Sequence, residues 1–256
     1  LVVISIIGML SSVVLVALQS AREKARFAAG ISMDSNIYQN FGSTALAMWD
    51  FDSSTLEDSS GNKKDLTPVG GAVYVTGVAG KALSIDDTNY FSNSAALLST
   101  NPDWTVSLWV NQTNTSILNR FISLGWAPYL YISGNQFSVS FRDGAACNIY
   151  PTITNNTPQQ LNKWYHVTLT YNSSSKVAKL YVNGDLNGGT YNDSNSCNQS
   201  YGSGVFIGAY PPVLAPVSGK FIGSVDSIRI YPQTLAQSDV RKLYAEGATT
   251  HGIALK

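Results

Sequence analysis

The first eighteen residues constrain the fold of this chain more than any other stretch, because they contain no charged side chain. Thirteen of them are Leu, Ile, Val or Met, and their polar side chains are serine hydroxyls. Coiled as a helix, the segment 1–18 would be apolar on every side. At about 2 kcal/mol for each large side chain, keeping it in water would cost on the order of 25 kcal/mol. A typical domain is stable by roughly 5–15 kcal/mol, so we expect this helix to lie in a bilayer or among other helices.

A charged stretch follows this segment, whereas a cleavable signal peptide carries its positive charges in front of the apolar run. The charges are Arg22, Glu23, Lys24 and Arg26. A loose helical stripe of apolar residues then continues to about Phe41. We therefore predict one helix over residues 1–41, about 60 Å long at 1.5 Å per residue.

The run LVVISIIGMLSSVVLVALQSAREKAR (residues 1–26) resembles the N-terminal helix of type IV pilins and pseudopilins. The resemblance implies a membrane-inserted precursor that the pilus assembly machinery of the inner membrane packs with its own copies into an extracellular filament at the cell surface. A heterologous contact repeated along an axis gives such a fibre. Arg22, Glu23, Lys24 and Arg26 would then form ion pairs between subunits. The implied assembly residues are Leu1, Val2, Val3, Ile4, Ile6, Ile7, Gly8, Leu10, Val13, Val14, Leu15, Val16 and Leu18.

Residues 42–256 form a second predicted domain, in which short alternating segments replace the helical pattern. Turn signals separate these segments, and Asn183-Gly184 is a strong cue for a two-residue hairpin. Many short strands favour a jelly-roll sandwich, and Thr234–Tyr244 is predicted to form a closing helix that Gly247 ends. The predicted strands are 45–51, 72–75, 82–86, 105–111, 120–124, 129–132, 136–142, 164–171, 178–183, 205–209 and 219–231. The predicted fold class is therefore α+β, a long apolar helix followed by an all-β jelly roll with a short C-terminal helix.

Several motifs of this second domain resemble laminin G-like domains of the concanavalin A-like lectin/glucanase type. The resemblance covers about Ala45 to Glu246 and implies two stacked antiparallel sheets, often with a structural calcium ion and often with glycan binding. The motifs are WDFDSSTLEDSSGN (49–62), VAGKALSID (78–86), TVSLWV (105–110), KWYHVTLTY (163–171), KLYVNG (179–184) and FIGSVDSIRIYPQTLAQSDVRKLY (221–244).

A calcium site is predicted at the loop that contains Asp58 and Asn62, because it gathers hard oxygen ligands around a glycine turn. The resemblance brings this loop near the closing strand, where Asp226 would complete the site. The alternative is an ordinary Asx turn with Asp226 facing solvent.

Surface glycans are the predicted ligands of the jelly roll. Trp104, Trp109, Trp126, Tyr129 and Tyr131 are aromatic rings suited to stacking on sugars, although aromatic residues are also common in sandwich cores. The loop aromatics Trp126, Tyr129 and Tyr210 are the primary candidates for glycan contact.

Catalysis is not predicted. Glycoside hydrolysis needs a pair of carboxylates, whereas the glutamates of the chain are Glu23, Glu57 and Glu246, of which the first and last lie near its ends. His166 sits inside a strand pattern and is expected to be structural. The net charge is zero at pH 7, and the sequence contains no basic patch of the kind that would indicate nucleic-acid binding.

Cys147 and Cys197 are the two cysteines of the chain and are predicted to form a disulfide if the domain faces an oxidising compartment. Unpaired thiols are the alternative. Two other interpretations of the whole chain also stay open. One is a carbohydrate-binding surface protein held by a single membrane anchor, and the other is a minor pseudopilin of a secretion system or pilus tip.

Overall fold

The computed structural model describes residues 42–95, 97–98, 103–115, 119–141, 152–192, 204–209 and 221–250. These residues form two antiparallel sheets and one α-helix, which confirms the predicted jelly-roll sandwich with its short C-terminal helix. The predicted N-terminal helix, with its assembly residues and the charges from Arg22 to Arg26, lies outside the described residues. Within the described ranges, no helix is long and apolar enough to cross a bilayer.

The strands of the first sheet are Ala47–Trp49 (β1), Val73–Thr76 (β3), Lys81–Ile85 (β4), Trp104–Gln112 (β6), Trp164–Asn172 (β11), Val177–Val182 (β12), Asp185–Asn192 (β13) and Gly223–Tyr231 (β15). Those of the second are Thr67–Val69 (β2), Tyr90–Asn93 (β5), Asn119–Leu124 (β7), Tyr129–Ser133 (β8), Gln136–Ser140 (β9), Thr152–Thr154 (β10) and Val205–Ile207 (β14). The first sheet has the strand order β13-β12-β11-β6-β15-β4-β3, and β1 also pairs with β15. The second sheet has the order β10-β9-β8-β7-β14-β5-β2.

Alternation along the strands builds the core between the sheets, because successive side chains point to opposite faces. In β6 and β11, one set of alternate side chains is apolar and enters the core, and the second sheet contributes a matching set. These buried residues include Val106, Leu108, Val110, Val167, Leu169, Leu130, Ile132, Phe137 and Val139. The predicted alternation of β6 and β11 is thus confirmed.

The helix α1 spans Gln237–Thr250 and covers the outer face of the first sheet. Val240 and Leu243 pack there with Met48 and Tyr181, which project outward from β1 and β12. In the central strands β6 and β11, the side chains that alternate with the core residues, among them Trp109 and His166, are therefore buried as well.

The prediction that Gly247 ends this helix is wrong, because α1 continues through it. A Cβ atom at Gly247 would lie 2.5–2.7 Å from the indole ring of Trp109. The glycine therefore permits close packing of the helix on the sheet. Tyr244 stacks on the same indole with ring centroids 5.7 Å apart.

The Asn183-Gly184 cue is confirmed, since both residues have positive φ angles and join β12 to β13. A two-residue turn of this kind matches the twist of the flanking strands. The predicted strands missed β2, β5, β10 and most of β13, all of which lie at or next to the edges of their sheets.

Candidate functional site

The outer face of the second sheet carries two rows of side chains that cross its strands. The strand register places Arg120 opposite Tyr131, Tyr131 opposite Ser138, and Ser138 opposite Thr154. The second row runs through Thr67, Ser92, Phe206, Ser123, Tyr129, Ser140 and Thr152. Hydroxyl groups and aromatic rings therefore dominate this face, which we call the tyrosine face.

Two tyrosine rings stand at the centre of the tyrosine face. Tyr129 and Tyr131 are two residues apart on β8 and both are half-buried. Their ring centroids lie 5.6 Å apart with an angle of 45° between the ring planes. The two rings thus present a bent aromatic surface.

Arg120 is stacked on this aromatic surface. Its guanidinium carbon lies 4.8 Å from the centroid of the Tyr129 ring, which is within the range of a cation–π interaction. The side chain is half-buried. Stacking restricts a long side chain that would otherwise sample many rotamers.

Short hydroxyl side chains form the floor of the tyrosine face. Ser123, Ser138 and Ser140 are buried, unlike the half-buried tyrosines beside them. The Ser123 hydroxyl donates to the Ala209 carbonyl oxygen at 3.3 Å, and the hydroxyls of Ser138 and Thr154 are 3.1 Å apart. Small floor residues leave the taller rings as the most prominent groups of this face.

Trp126 borders the tyrosine face in the turn between β7 and β8 and is half-buried. The turn is held by backbone hydrogen bonds from Leu124 to Pro128 at 2.9 Å and from Gly125 to Gly204 at 2.7 Å. The structure therefore places the predicted pair Trp126 and Tyr129 at one end of the same strand, β8. The third predicted glycan contact, Tyr210, lies outside the described residues, as do Cys147 and Cys197.

Two other tryptophans suggested for sugar stacking are buried. Trp104 is within the core and stacks on Tyr171 with centroids 5.7 Å apart. Trp109 lies beneath α1. Neither ring is accessible to a sugar, because Trp104 points into the core between the sheets and Trp109 points toward α1.

A serine–histidine pair lies under α1 on the first sheet. The Ser107 hydroxyl is 2.8 Å from His166 Nε2, and both residues are buried. Burial, with a further contribution from the nearby Arg229, lowers the pKa of His166 to about 3. Among the described residues, none is a hydrogen-bond partner of His166 Nδ1, so none of them supplies the orienting carboxylate of a catalytic triad. The helix α1 covers the pair, so a substrate cannot reach it.

A buried ion pair anchors the same helix. Arg229 of β15 donates two hydrogen bonds to the Glu246 carboxylate, at 2.7 and 2.6 Å. Both side chains are little exposed, at 13% and 12%. Glu246 is therefore a structural partner of α1.

Asp58 organises its own loop. Its Oδ1 accepts hydrogen bonds from the backbone N–H groups of Met48 and Ser60, and its Oδ2 accepts from the Lys64 N–H and the Ser60 hydroxyl, all at 2.9 Å. Burial acts to raise the pKa of Asp58, but these bonds outweigh it and the pKa is lowered. A carboxylate has about four acceptor positions, so calcium ligation by Asp58 would require bonds within the loop to open.

Asn62 and Asp226 serve different segments. The Asn62 amide donates to the carbonyl oxygens of Ala45 and Leu46 at 2.9 and 3.3 Å. Asp226 is fully buried and does not face solvent. Its Oδ2 accepts from the N–H groups of Val78 and Ala79 at 2.7 and 3.3 Å.

Asp226 also faces a second carboxylate, Asp52, across the loop between β3 and β4. Burial, opposed by hydrogen bonds from the loop and reinforced by the charge of Asp52, raises the pKa of Asp226 to about 7. Asp52 in turn accepts a hydrogen bond from the Lys81 N–H at 3.0 Å. Within the ranges that the structure describes, no group of three or more His, Cys, Asp or Glu side chains is arranged to hold a metal ion.

Comparison with known proteins identifies the family. Residues 85–241, more than half of the chain, match the laminin G-type model of the concanavalin A-like lectin/glucanases superfamily. The chain belongs to this superfamily. The curated proteins compared with the chain include no match.

Solved structures share the fold. Domain 4 of AbnA, an extracellular GH43 arabinanase of Geobacillus stearothermophilus solved in complex with arabinotriose, is 22% identical, with a TM-score of 0.59, over 78% of this chain and 98% of that domain. The binding domain of Paraclostridial Mosquitocidal Protein 1 is 18% identical, with a TM-score of 0.62, over 79% of this chain and 52% of that one.

The ligand-binding domain of botulinum neurotoxin serotype D, solved in complex with N-acetylneuraminic acid, is a third neighbour. It is 16% identical, with a TM-score of 0.62, over 80% of this chain and 52% of that one. The chain thus spans about half the length of these two toxin domains. At such identities, the likeness establishes the fold.

Proposed function

We propose that this member of the superfamily is a carbohydrate-binding domain without catalytic activity, and that glycans bind on the tyrosine face. The observation that carries the proposal is the pair of half-buried rings, Tyr129 and Tyr131, above a floor of serine hydroxyls. Apolar faces of sugar rings pack on aromatic rings, while the partly exposed Gln136 and Thr154 are placed to exchange hydrogen bonds with sugar hydroxyls.

The site residues and the solved neighbours support this proposal from different directions. Trp126 is a partly exposed aromatic residue in the turn that leads into β8, and Gln136 and Thr154 are polar residues on the neighbouring strands β9 and β10. AbnA domain 4, which this chain covers almost wholly, was solved with arabinotriose, and the neurotoxin domain, of which this chain covers about half, was solved with N-acetylneuraminic acid.

The absence of catalysis is part of the proposal. Glu246 is engaged with Arg229, and the Ser107–His166 pair is sealed beneath α1. Asp226, whose pKa is raised, is fully buried. These titratable groups thus lie on the first sheet or in the helix α1 that covers it, away from the tyrosine face.

A glycan array probed with the full chain in detergent tests the proposal. We expect binding that Tyr129→Ala and Tyr131→Ala each weaken by at least about tenfold. The control variant is Leu186→Ala, which shortens an exposed side chain of the first sheet and should leave binding unchanged. The proposal would be refuted if no glycan on the array binds, or if Tyr129→Ala and Tyr131→Ala both bind glycans as tightly as the wild-type protein does.

A role as a pilin-like filament subunit is the second proposed function, and the apolar segment 1–18 is the observation that favours it. Copies of this segment would pack together in the filament core and leave the lectin-like domain outside, at the cell surface, for adhesion. Shearing of producing cells followed by negative-stain microscopy is the test. Fibres of uniform diameter support the filament role, whereas protein that stays with the membranes supports a single anchor for a surface lectin.

Calcium binding and the Cys147–Cys197 disulfide remain proposals. For calcium, Asp226 and Asp52 are better-supported ligands than Asp58. Their like negative charges repel each other near a buried position. Calcium at one hundred times its Kd would stabilise the folded state by about 2.7 kcal/mol. Thermal melts with calcium and with EDTA, repeated on Asp226→Asn, test calcium binding. A melting temperature of the wild-type protein that does not change with calcium would refute it. Alkylation mass spectrometry before and after reduction tests the disulfide.

A further inference from the structure

The two sheets differ in how many ionisable side chains their strands contain. The described strands of the first sheet include Lys81, His166, Lys179, Asp185, Asp226 and Arg229. Those of the second sheet include no Asp, Glu, Lys or His, and their single arginine is Arg120. The charge carried by these strands is therefore one positive charge, located within the tyrosine face.

Arg120 is held at the centre of this face. It lies opposite Tyr131 in the strand register, and its guanidinium stacks on Tyr129. A stacked guanidinium keeps its N–H groups in its own plane, so it can contact a ring with its face and an anion with its edge. The fork of N–H donors matches the two oxygens of a carboxylate or sulfate.

We propose that Arg120 selects acidic sugars, and that the ligand carries a carboxylate or sulfate group that Arg120 binds while the sugar ring packs on Tyr131. This inference rests on the proposed glycan binding at the tyrosine face and names its ligand class. The anion adds to, or replaces, the interactions that Arg120 makes within the domain. Carboxylate and sulfate offer the same fork-matching oxygens, so both sources are tested.

Matched probes separate charge from shape. They are sialyllactose against lactose, oligogalacturonate against its methyl ester, and a sulfated galactan against the same polymer desulfated. We expect the full chain in detergent to bind the charged member of at least one pair about tenfold more tightly at low salt. This preference should shrink as the salt concentration rises, because salt screens partly exposed charges. A carboxylate ligand would show it in the first two pairs, and a sulfate ligand in the third.

Variants of Arg120 test its role in this preference. Arg120→Gln should abolish the preference while retaining binding to the neutral probe. Arg120→Lys should keep part of it, because lysine supplies the charge without the bidentate fork. Arg241→Gln is the matched control, since Arg241 is an exposed cation of α1 paired with Asp185, and it should change nothing. Thermal melts show which variants remain folded.

The outcomes separate this inference from the proposed function. If the array shows no glycan binding, or if Tyr129→Ala and Tyr131→Ala both bind like the wild type, the glycan-binding surface itself is wrong. If a glycan on the array binds but none of these probes does, acidic selectivity is overturned. If binding requires Tyr129 but the wild-type protein treats charged and neutral probes alike, acidic selectivity is overturned. A preference that survives in folded Arg120→Gln overturns it equally. The comparison of charged and neutral probes on the wild-type protein needs no variant, so it decides the question even if every Arg120 variant unfolds.

Discussion

The outer faces of the two sheets carry similar residue types, but those residues are covered on the first sheet and half-buried on the second. On the first sheet, Trp109, His166 and Arg229 lie beneath α1 and bond or pack with it and with each other. On the second sheet, the aromatic and cationic residues Tyr129, Tyr131 and Arg120 are half-buried. In the described ranges, the one α-helix covers the first sheet. The covering element, more than the residue type, decides which face is structural and which is suited to binding.

The largest expected effect comes from breaking the buried ion pair of the covered face. Glu246→Gln leaves the charge of Arg229 beneath α1 without its bidentate partner, and we expect a loss of about 3–5 kcal/mol in the free energy of unfolding. Urea titration measures it. Asp185→Asn is the control, because its partner Arg241 is 60% exposed, and it should cost less than about 1 kcal/mol. Equal effects would contradict the difference in burial between the two pairs.

The next effect is a pH dependence from His166. Its pKa is about 3 when folded, below the ordinary value of 6.5, so the unfolded chain takes up its proton first as the pH falls. The stabilisation is complete above pH 6.5 and is lost as the pH falls toward 3. The loss amounts to about 3 kcal/mol at pH 4. His166→Gln should make stability flatter between pH 6.5 and 4 in chemical denaturation. An unchanged slope would mean that His166 is accessible to protons in the folded state.

Gly247→Ala tests how closely α1 packs on the sheet. In an exposed helix, alanine would be favoured over glycine by about 1 kcal/mol. Here the added methyl group meets the Trp109 indole, so we expect a loss of about 1–2 kcal/mol and an altered tryptophan fluorescence spectrum. Gly71→Ala is the control, because no heavy atom lies within 4 Å of its added Cβ. A stabilising Gly247→Ala would show that the helix can move away from the sheet.

The smallest expected effect on stability belongs to the tyrosine face. Tyr131→Ala removes a half-buried ring that contributes to the face and not to the core. We expect a loss of about 1 kcal/mol or less in the free energy of unfolding, measured by urea titration, with a large loss of glycan binding. A loss of several kcal/mol would mean that Tyr131 is a packing residue like those beneath α1.

The sandwich was predictable because apolar alternation is a local signal that tertiary packing reinforces in both sheets. The partition of the aromatic residues was less predictable. Trp104 and Trp109 satisfy the same pattern as Tyr129, but the layer that covers each face depends on the three-dimensional packing. The sequence predicts a helix end at Gly247 because glycine usually marks one, and the contact of Gly247 with Trp109 is not visible in sequence.

Arg120 was missed for a related reason. A lone arginine in a strand usually indicates a solvated side chain, and its stacking on Tyr129 depends on the register between β7 and β8. The available signal was the lack of other charges in the neighbouring strands, which has meaning only once those strands are known to form one sheet. Asp52 was missed because its partner Asp226 is distant in sequence.

Fluorine NMR of the full chain in detergent, labelled with 3-fluorotyrosine, tests the central claim most directly. The chain has 14 tyrosines, and single Tyr→Phe variants assign their signals. On addition of the glycan that binds best on the array, we predict shifts for the signals of Tyr129 and Tyr131, while the signals of Tyr181 beneath α1 and Tyr244 within α1 keep their positions. Shifts confined to Tyr181 and Tyr244, or to tyrosines of neither face, would contradict the assignment of the second sheet as the binding surface.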